Sequence, residues 1–200
     1  MKTLVGQKAP NFSANAVLGD NTIDANFNLY DDIKGKNCIL FFYPLNFTFV
    51  CPSEVIAFNN RLGEFAARNT KVIGISIDSH FCHLAWKNTP HNKGGIGKIQ
   101  FSLVADITRN ISNSYGILND DGIDYRCTVF IDENQIVRHM SVNDLPIGRN
   151  VDEILRIIDA WEHVKEHGEV CPAGWSKGKT AIQTSSSGIS DYLTSHAEDL

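Results

Sequence analysis

The residues best suited to chemistry lie in the segment Phe41-Phe-Tyr-Pro-Leu-Asn-Phe-Thr-Phe-Val-Cys-Pro-Ser-Glu54, where an apolar run gives way to a loop and then to Cys51-Pro52. A proline at the first position of a helix has no needed N–H to lose, so Pro52 marks a helix start and places Cys51 at its N-cap. Unpaired backbone N–H groups and the positive end of the helix dipole gather there and favour a thiolate, which is a nucleophile. Thr48, three residues earlier, offers a hydroxyl to the sulfur or to a bound oxygen, and Pro44 shields the site from water. Most free cysteines are small buried hydrophobes. The adjoining proline and polar loop favour the reactive reading for Cys51.

The other cysteines are Cys38, Cys82, Cys127 and Cys171. An odd count without framework spacing argues against a secreted disulfide scaffold, and the missing C-x-x-C argues against a zinc knuckle or a local dithiol. Any thiol chemistry therefore uses a distant partner. Cys38, Cys82 and Cys127 read as buried or incidental thiols. His163 and His167 stand at a spacing that suits zinc, yet no acidic or thiol ligand converges on them in sequence, so they read as a solvated helix face. Gly94-Gly-Ile-Gly97 lacks the spacing of a nucleotide loop. No metal and no cofactor are expected.

The 200 residues, 42% hydrophobic and 20% charged, suffice for one well-packed domain with at most an added arm. A net charge of −5 without a basic block makes nucleic acid an unsuitable partner. The N-terminal stretch shows no apolar leader, and no apolar run approaches the roughly 20 residues of a membrane helix, so a soluble, cytoplasmic protein is expected.

The elements that must position these residues follow from periodicity. Residues 38–43 and 72–77 are continuous apolar runs of strand length, and Val55, Phe58, Leu62 and Phe65 repeat at helical spacing between them. This is a βαβ unit with a parallel pair. A second helix is predicted over 80–87 and a third over 107–115, capped by Gly116, with a strand at 101–105 between them. Residues 128–131 and 136–142 read as an antiparallel hairpin, and Asn150 as the N-cap of a helix carrying Ile154, Ile157, Ile158, Trp161 and Val164. The order is β-α-β-α-β-α-β-β-α after an N-terminal extended segment, an α/β pattern with a mixed central sheet flanked by helices. Beyond Gly168 the composition turns to Ser, Gly, Lys and Thr, with a short segment at 189–193, which reads as an arm. The expected division is 1–168 for the domain and 169–200 for the arm.

The chain resembles the typical two-cysteine peroxiredoxins of the alkyl hydroperoxide reductase C type. Phe47-Thr-Phe-Val-Cys-Pro52 is similar to the family's peroxidatic motif and Glu169-Val-Cys-Pro-Ala-Gly-Trp175 to its resolving motif. Residues 83–90, 94–97 and 144–149 also resemble family segments. The resemblance implies a thioredoxin-like fold with an N-terminal extension and a C-terminal arm. It implies that Cys51 is the peroxidatic cysteine, with Pro44, Thr48 and Arg126 completing the peroxide pocket and Glu54 and Arg149 supporting it. It further implies that Cys171 resolves the Cys51 sulfenic acid as an intersubunit disulfide, in a homodimer that exchanges its C-terminal arms and assembles into a ring such as a decamer. Hydrogen peroxide and organic hydroperoxides would be the substrates, and thioredoxin or a flavin-linked disulfide reductase the electron donor. Asn46, Ser53 and Cys127 depart from the usual Asp, Thr and Gly without removing a donor the chemistry requires. Tyr192-Leu193 stands where sensitive members carry Tyr-Phe, which implies intermediate susceptibility to over-oxidation. The alternative from another class is a ring-forming holdase or redox-signalling protein whose peroxidase activity is secondary.

Overall fold

The computed structural model of the chain describes residues 3–200; Met1 and Lys2, which open the expected N-terminal segment and domain, lie outside them. The chain forms two compact units, one running through Val151 and the other spanning Asp152–Leu200.

The first unit is built on a seven-stranded mixed sheet in the order β2-β1-β5-β4-β3-β6-β7. Its strands are β1 (Ser13–Val17), β2 (Ile23–Asn28), β3 (Asn37–Phe42), β4 (Thr70–Ser76), β5 (Ser102–Ala105), β6 (Arg126–Ile131) and β7 (Val137–Asn143). The parallel core β3-β4-β5 is extended by antiparallel strands on both sides. β3 is buried at all six positions, as a strand covered on both faces must be. Leu40 and Phe42 join a cluster with Leu29, Ile33, Ile111 and Ile117. Phe41, pointing the other way, stacks on Phe58 with ring centroids 4.3 Å apart and meets Phe101 edge-on. Gly74 in β4 makes room for this second layer, since a Cβ there would lie 2.8 Å from the Phe41 ring and 2.7 Å from Leu103.

The helices of this unit are α1 (Leu29–Asp32), α2 (Cys51–Asn60), α3 (Leu62–Ala66), α4 (His80–Asn88) and α5 (Asn110–Tyr115). The single helix expected after Cys51 is interrupted at Arg61, whose φ of −107° and ψ of 9° leave the helical range, so Leu62 and Phe65 belong to a second short helix. α5 starts later than expected, because Asp106 uses its carboxylate to accept from the N–H groups of Ile111 and Ser112 and so fixes where the helix begins. Gly116 ends it in the left-handed conformation, φ 68°, as expected of a C-cap glycine. The N-terminal extended segment is a hairpin. β1 and β2 pair across a turn at Asn21, φ 71°, and a register shift near Ala14 obscures their alternation in sequence.

The second unit contains α6 (Val151–His167) from Asp152 onward, with Asp152 and Glu153 in the helix's first turn and Lys165 in its last, each sign complementing the helix dipole. Gly168 follows with φ 68°. The chain then forms an isolated bridge between Val170 and Ile182 and ends in α7 (Ser186–His196), longer than the segment expected at 189–193. Ser185 sets the earlier start: its hydroxyl accepts from the Gly188 N–H at 3.0 Å and caps the helix, which begins at Ser186, three residues before the expected segment. Among the described residues no helix is long and apolar enough to cross a membrane.

Candidate active site

Cys51 is fully buried at the start of α2. The helix begins one residue earlier than expected: Val50, with helical φ and ψ, is the N-cap, and its carbonyl accepts from the N–H groups of Ser53 and Glu54. Pro52 still occupies the first turn, where its missing N–H costs nothing. Pro44, just beyond β3, is buried as well.

The Cys51 sulfur lies 2.9 Å from the Thr48 hydroxyl and 3.3 Å from Arg126 Nη1. The Thr48 hydroxyl also reaches the Leu45 carbonyl at 2.8 Å. It has one proton for two acceptors, so an anionic sulfur draws that proton and a thiol gives its own to the threonine oxygen. Arg126 opens β6. Its Nε donates to the Leu145 carbonyl at 2.6 Å and its Nη1 to Glu54 Oε2 at 2.6 Å, which fixes the guanidinium plane. Glu54, one helical turn after Cys51, accepts from Arg149 through Nε at 2.8 Å, Nη2 at 2.9 Å and the backbone N–H at 3.0 Å. Arg149 Nη1 donates to the carbonyls of Phe42 and Cys127, both at 2.8 Å, and its guanidinium lies over the Phe41 ring at 5.2 Å.

These three charged side chains are almost completely enclosed, with exposures of 5% for Arg126, 4% for Arg149 and 3% for Glu54. Two buried guanidinium groups against one carboxylate leave an excess of one positive charge. A thiolate at Cys51 balances it, and the α2 dipole acts in the same direction. The same arrangement suits cleavage of an oxygen–oxygen bond, because fixed donors stand ready for the charge that develops on the departing oxygen.

The structure thus brings together Cys51, Thr48, Glu54, Arg126 and Arg149. Cys171 belongs to the second unit. It is a free, half-buried thiol whose Sγ donates to the Ala160 carbonyl at 3.6 Å. Burial pushes this thiol up, Arg156 opposes the shift and Glu169 adds to it. Its segment is tied down on both sides, by His163 Nε2 against Glu169 at 2.9 Å and by Arg156 Nη1 donating to the Trp175 carbonyl at 2.7 Å. His163 also stacks on His167, with centroids 4.3 Å apart, so this pair is partnered rather than merely solvated. Among the described residues no group of three or more His, Cys, Asp or Glu could hold a metal. Cys38 and Cys127 are fully buried; burial pushes Cys127 up to about 12 and raises Cys38 strongly, so both stay protonated.

What sequence reading missed is a polar cluster behind the loop: Tyr43, Asn46, Asp78 and His83. Asn46 and His83 are 37 positions apart and share a hydrogen bond of 3.0 Å, a pairing that only the parallel crossover creates.

The AhpC/TSA family matches residues 5–140, and the C-terminal domain of 1-Cys peroxiredoxin matches residues 160–195. The chain is 51% identical over 190 residues to an alkyl hydroperoxide reductase C of Helicobacter pylori, covering 95% of this chain and 96% of that one. It is 46% identical over 196 residues to peroxiredoxin-2 of Bos taurus, covering 98% and 97%. The crystal structure of reduced Plasmodium vivax 2-Cys peroxiredoxin superposes with a TM-score of 0.93 at 52% identity, over 96% of this chain and all of that one. With its mixed sheet and buried thiol, the chain belongs to the AhpC/TSA family and is a two-cysteine peroxiredoxin of the alkyl hydroperoxide reductase C type, a thiol-dependent peroxidase with a thioredoxin-like fold.

Proposed function

We propose that the protein reduces hydrogen peroxide and small organic hydroperoxides through Cys51. The thiolate attacks the outer oxygen of the peroxide, a sulfur–oxygen bond forms, the oxygen–oxygen bond breaks, and the departing oxygen takes up a proton to leave as water or alcohol. Cys51 becomes a sulfenic acid. Thr48 and Arg126 orient the peroxide and stabilise the charge on the leaving oxygen, Pro44 keeps water out, and Glu54 and Arg149 hold Arg126 in place. The Cys171 thiol then attacks the sulfenic sulfur, forming a disulfide and releasing water. An external dithiol restores both thiols by exchange, with thioredoxin or a flavin-linked disulfide reductase in that role. The observation that carries this reading is the buried setting of the Cys51 sulfur between the Thr48 hydroxyl and the Arg126 guanidinium.

Residues 1–168 act in this reading as the peroxidase domain and 169–200 as an arm that delivers Cys171 to the Cys51 of a second copy, giving an arm-exchanged homodimer. Exposed apolar side chains support assembly of dimers into a ring: Phe49 is 96% exposed and Phe81 67%. Five unpaired thiols suit a reducing compartment, hence the cytoplasm. A primary holdase role is not favoured, because it has no use for a buried guanidinium set against one sulfur and held there by a buried carboxylate. The test is NADPH-coupled peroxide consumption with a thioredoxin system. Stoichiometric turnover with both hydrogen peroxide and an alkyl hydroperoxide is expected; suppression of aggregation without turnover would overturn the reading.

A further inference from the structure

The loop between β3 and α2 contains a strained residue next to the catalytic threonine. Phe47 has φ 54°, the left-handed region that a bulky side chain avoids, and it lies between Asn46 and Thr48. Such a conformation persists only where neighbouring contacts enforce it. Phe47 is half exposed, with its ring 6.0 Å from that of Trp86, so its own packing supplies little.

Asn46 supplies the enforcement. It is buried, and its backbone N–H donates to Asp78 Oδ2 at 2.8 Å. Its side-chain carbonyl accepts from the Tyr43 hydroxyl at 2.9 Å, and its amide nitrogen faces His83 Nδ1 at 3.0 Å. Asp78 is fixed in turn by the Ser76 hydroxyl at 2.8 Å. Three separate segments therefore grip this one residue, two by its side chain and one by its backbone N–H, immediately before the strained turn.

The hydrogen-bond directions follow from donor counting. Asn46 Nδ2 is a donor, so His83 Nδ1 is the acceptor, and the ring proton sits on Nε2, 3.1 Å from the Val104 carbonyl. His83 is thus neutral with both nitrogens used. Burial holds its pKa down at about 4, against Asp78 and the Val104 carbonyl, which favour the charged form; His80 and Lys87 act with burial. The remaining groups near it are the Tyr43 hydroxyl, kept protonated by burial, and Cys82, whose sulfur lies 3.4 Å from Asn46 Nδ2 and 3.5 Å from Asp78 Oδ1.

We propose that Asn46 is the positioning residue of the peroxidatic loop: its amide, locked between Tyr43 and a neutral His83, holds the left-handed turn at Phe47 and so aims the Thr48 hydroxyl at Cys51. This inference rests on the peroxidase reading of Cys51. Its consequence is specific. An aspartate at position 46 still accepts from Tyr43 but cannot donate to His83. With a neutral ring it must give up one contact, either at Nδ1 or, if the ring proton moves, at the Val104 carbonyl. With a protonated ring both contacts return.

The test measures the rate of the first Cys51 oxidation by hydrogen peroxide, by stopped-flow fluorescence on the reduced full chain, between pH 5.5 and 8.5. For Asn46→Asp the ratio of variant to parent rate is expected to fall as pH rises, from near one at the acid end to about one-tenth at the alkaline end, the scale of one lost buried hydrogen bond. The same substitution in a Thr48→Ala background is expected to have little further effect, because Asn46 acts through Thr48. Tyr43→Phe, which leaves the ring packing intact, gives a smaller, pH-independent slowing of about two- to fivefold, also absent in the Thr48→Ala background. A pH-independent ratio for Asn46→Asp, or equal effects of both substitutions with and without Thr48, would overturn the proposal. Should Asn46→Asp fail to fold, the Tyr43→Phe cycle alone decides. A parent chain that does not react with peroxide would instead refute the peroxidase reading.

Discussion

The two cysteines assigned to the reaction sit in opposite environments. Cys51 is fully enclosed, at a helix start, with a hydroxyl and a guanidinium on its sulfur and a net positive charge around it. Cys171 is half-buried on an irregular segment, its sulfur donates to a carbonyl, and burial raises its pKa. One sulfur is the acceptor of its hydrogen bonds and the other is the donor. The difference suits the proposed division of labour, in which Cys51 attacks the peroxide and Cys171 stays a resting thiol until a sulfenic acid exists to attack. Cys127 is as deeply buried as Cys51 but has no side-chain donor on its sulfur among the described residues, and burial pushes its thiol up to about 12. The contacts differ: Arg126 Nη1 lies 3.3 Å from the Cys51 sulfur, whereas Arg149 hydrogen-bonds only the backbone carbonyl of Cys127 and opposes, without cancelling, the burial that raises that thiol.

The contrast breaks most completely at Cys51. Cys51→Ser should bring peroxide consumption down to background, because a serine hydroxyl stays protonated in the same field. Retained turnover in the coupled assay would move the nucleophile elsewhere. Cys171→Ser should stop thioredoxin-dependent cycling yet leave one stoichiometric oxidation of Cys51, with a first-step rate within about twofold of the parent. Mass spectrometry after one equivalent of peroxide checks this, and undiminished cycling would remove Cys171 from the resolving role.

A narrower break comes at the charges. Arg126→Ala should slow the first oxidation by about 10²- to 10³-fold, the scale for loss of one preorganised donor, and it leaves Glu54 paired to Arg149. Stopped-flow rates equal to the parent would place Arg126 outside the pocket. At Cys171 the corresponding cation, Arg156, is partly exposed and the effect is small. Arg156→Ala should slow disulfide formation about two- to fivefold near neutral pH. The sign follows from the charge: Arg156 favours the Cys171 thiolate, so its loss raises the thiol further, and the deficit should shrink as pH rises and the thiol ionises in both proteins. A deficit that grows with pH would contradict this.

How much of this was legible in sequence depends on range. The Cys51-Pro52 helix start and the Thr48 spacing are local, and they survive with a shift of one residue at the cap. The parallel pair β3-β4 was readable because strands buried on both faces leave continuous apolar runs. The β1-β2 hairpin was not, because a bulge near Ala14 breaks the alternation that marks a half-buried strand. The break at Arg61 was hidden by an apolar repeat that continues through it. Arg126 and Arg149 entered through motif resemblance, since nothing within their own neighbourhoods tells a pocket arginine from a surface one. The Asn46 cluster lay furthest from reach: it joins the ends of two strands and a helix, and no spacing rule relates them.

The central claim is that peroxide oxidises Cys51 and that Cys171 of a second copy captures the product. The most direct measurement treats the reduced chain with one equivalent of hydrogen peroxide, blocks free thiols and analyses it by non-reducing electrophoresis with peptide mass spectrometry. The expected product is a covalent dimer containing a Cys51–Cys171 linked peptide, absent when either cysteine is replaced by serine. A product that stays monomeric, with Cys51 linked within its own chain or to any other cysteine, would contradict the claim.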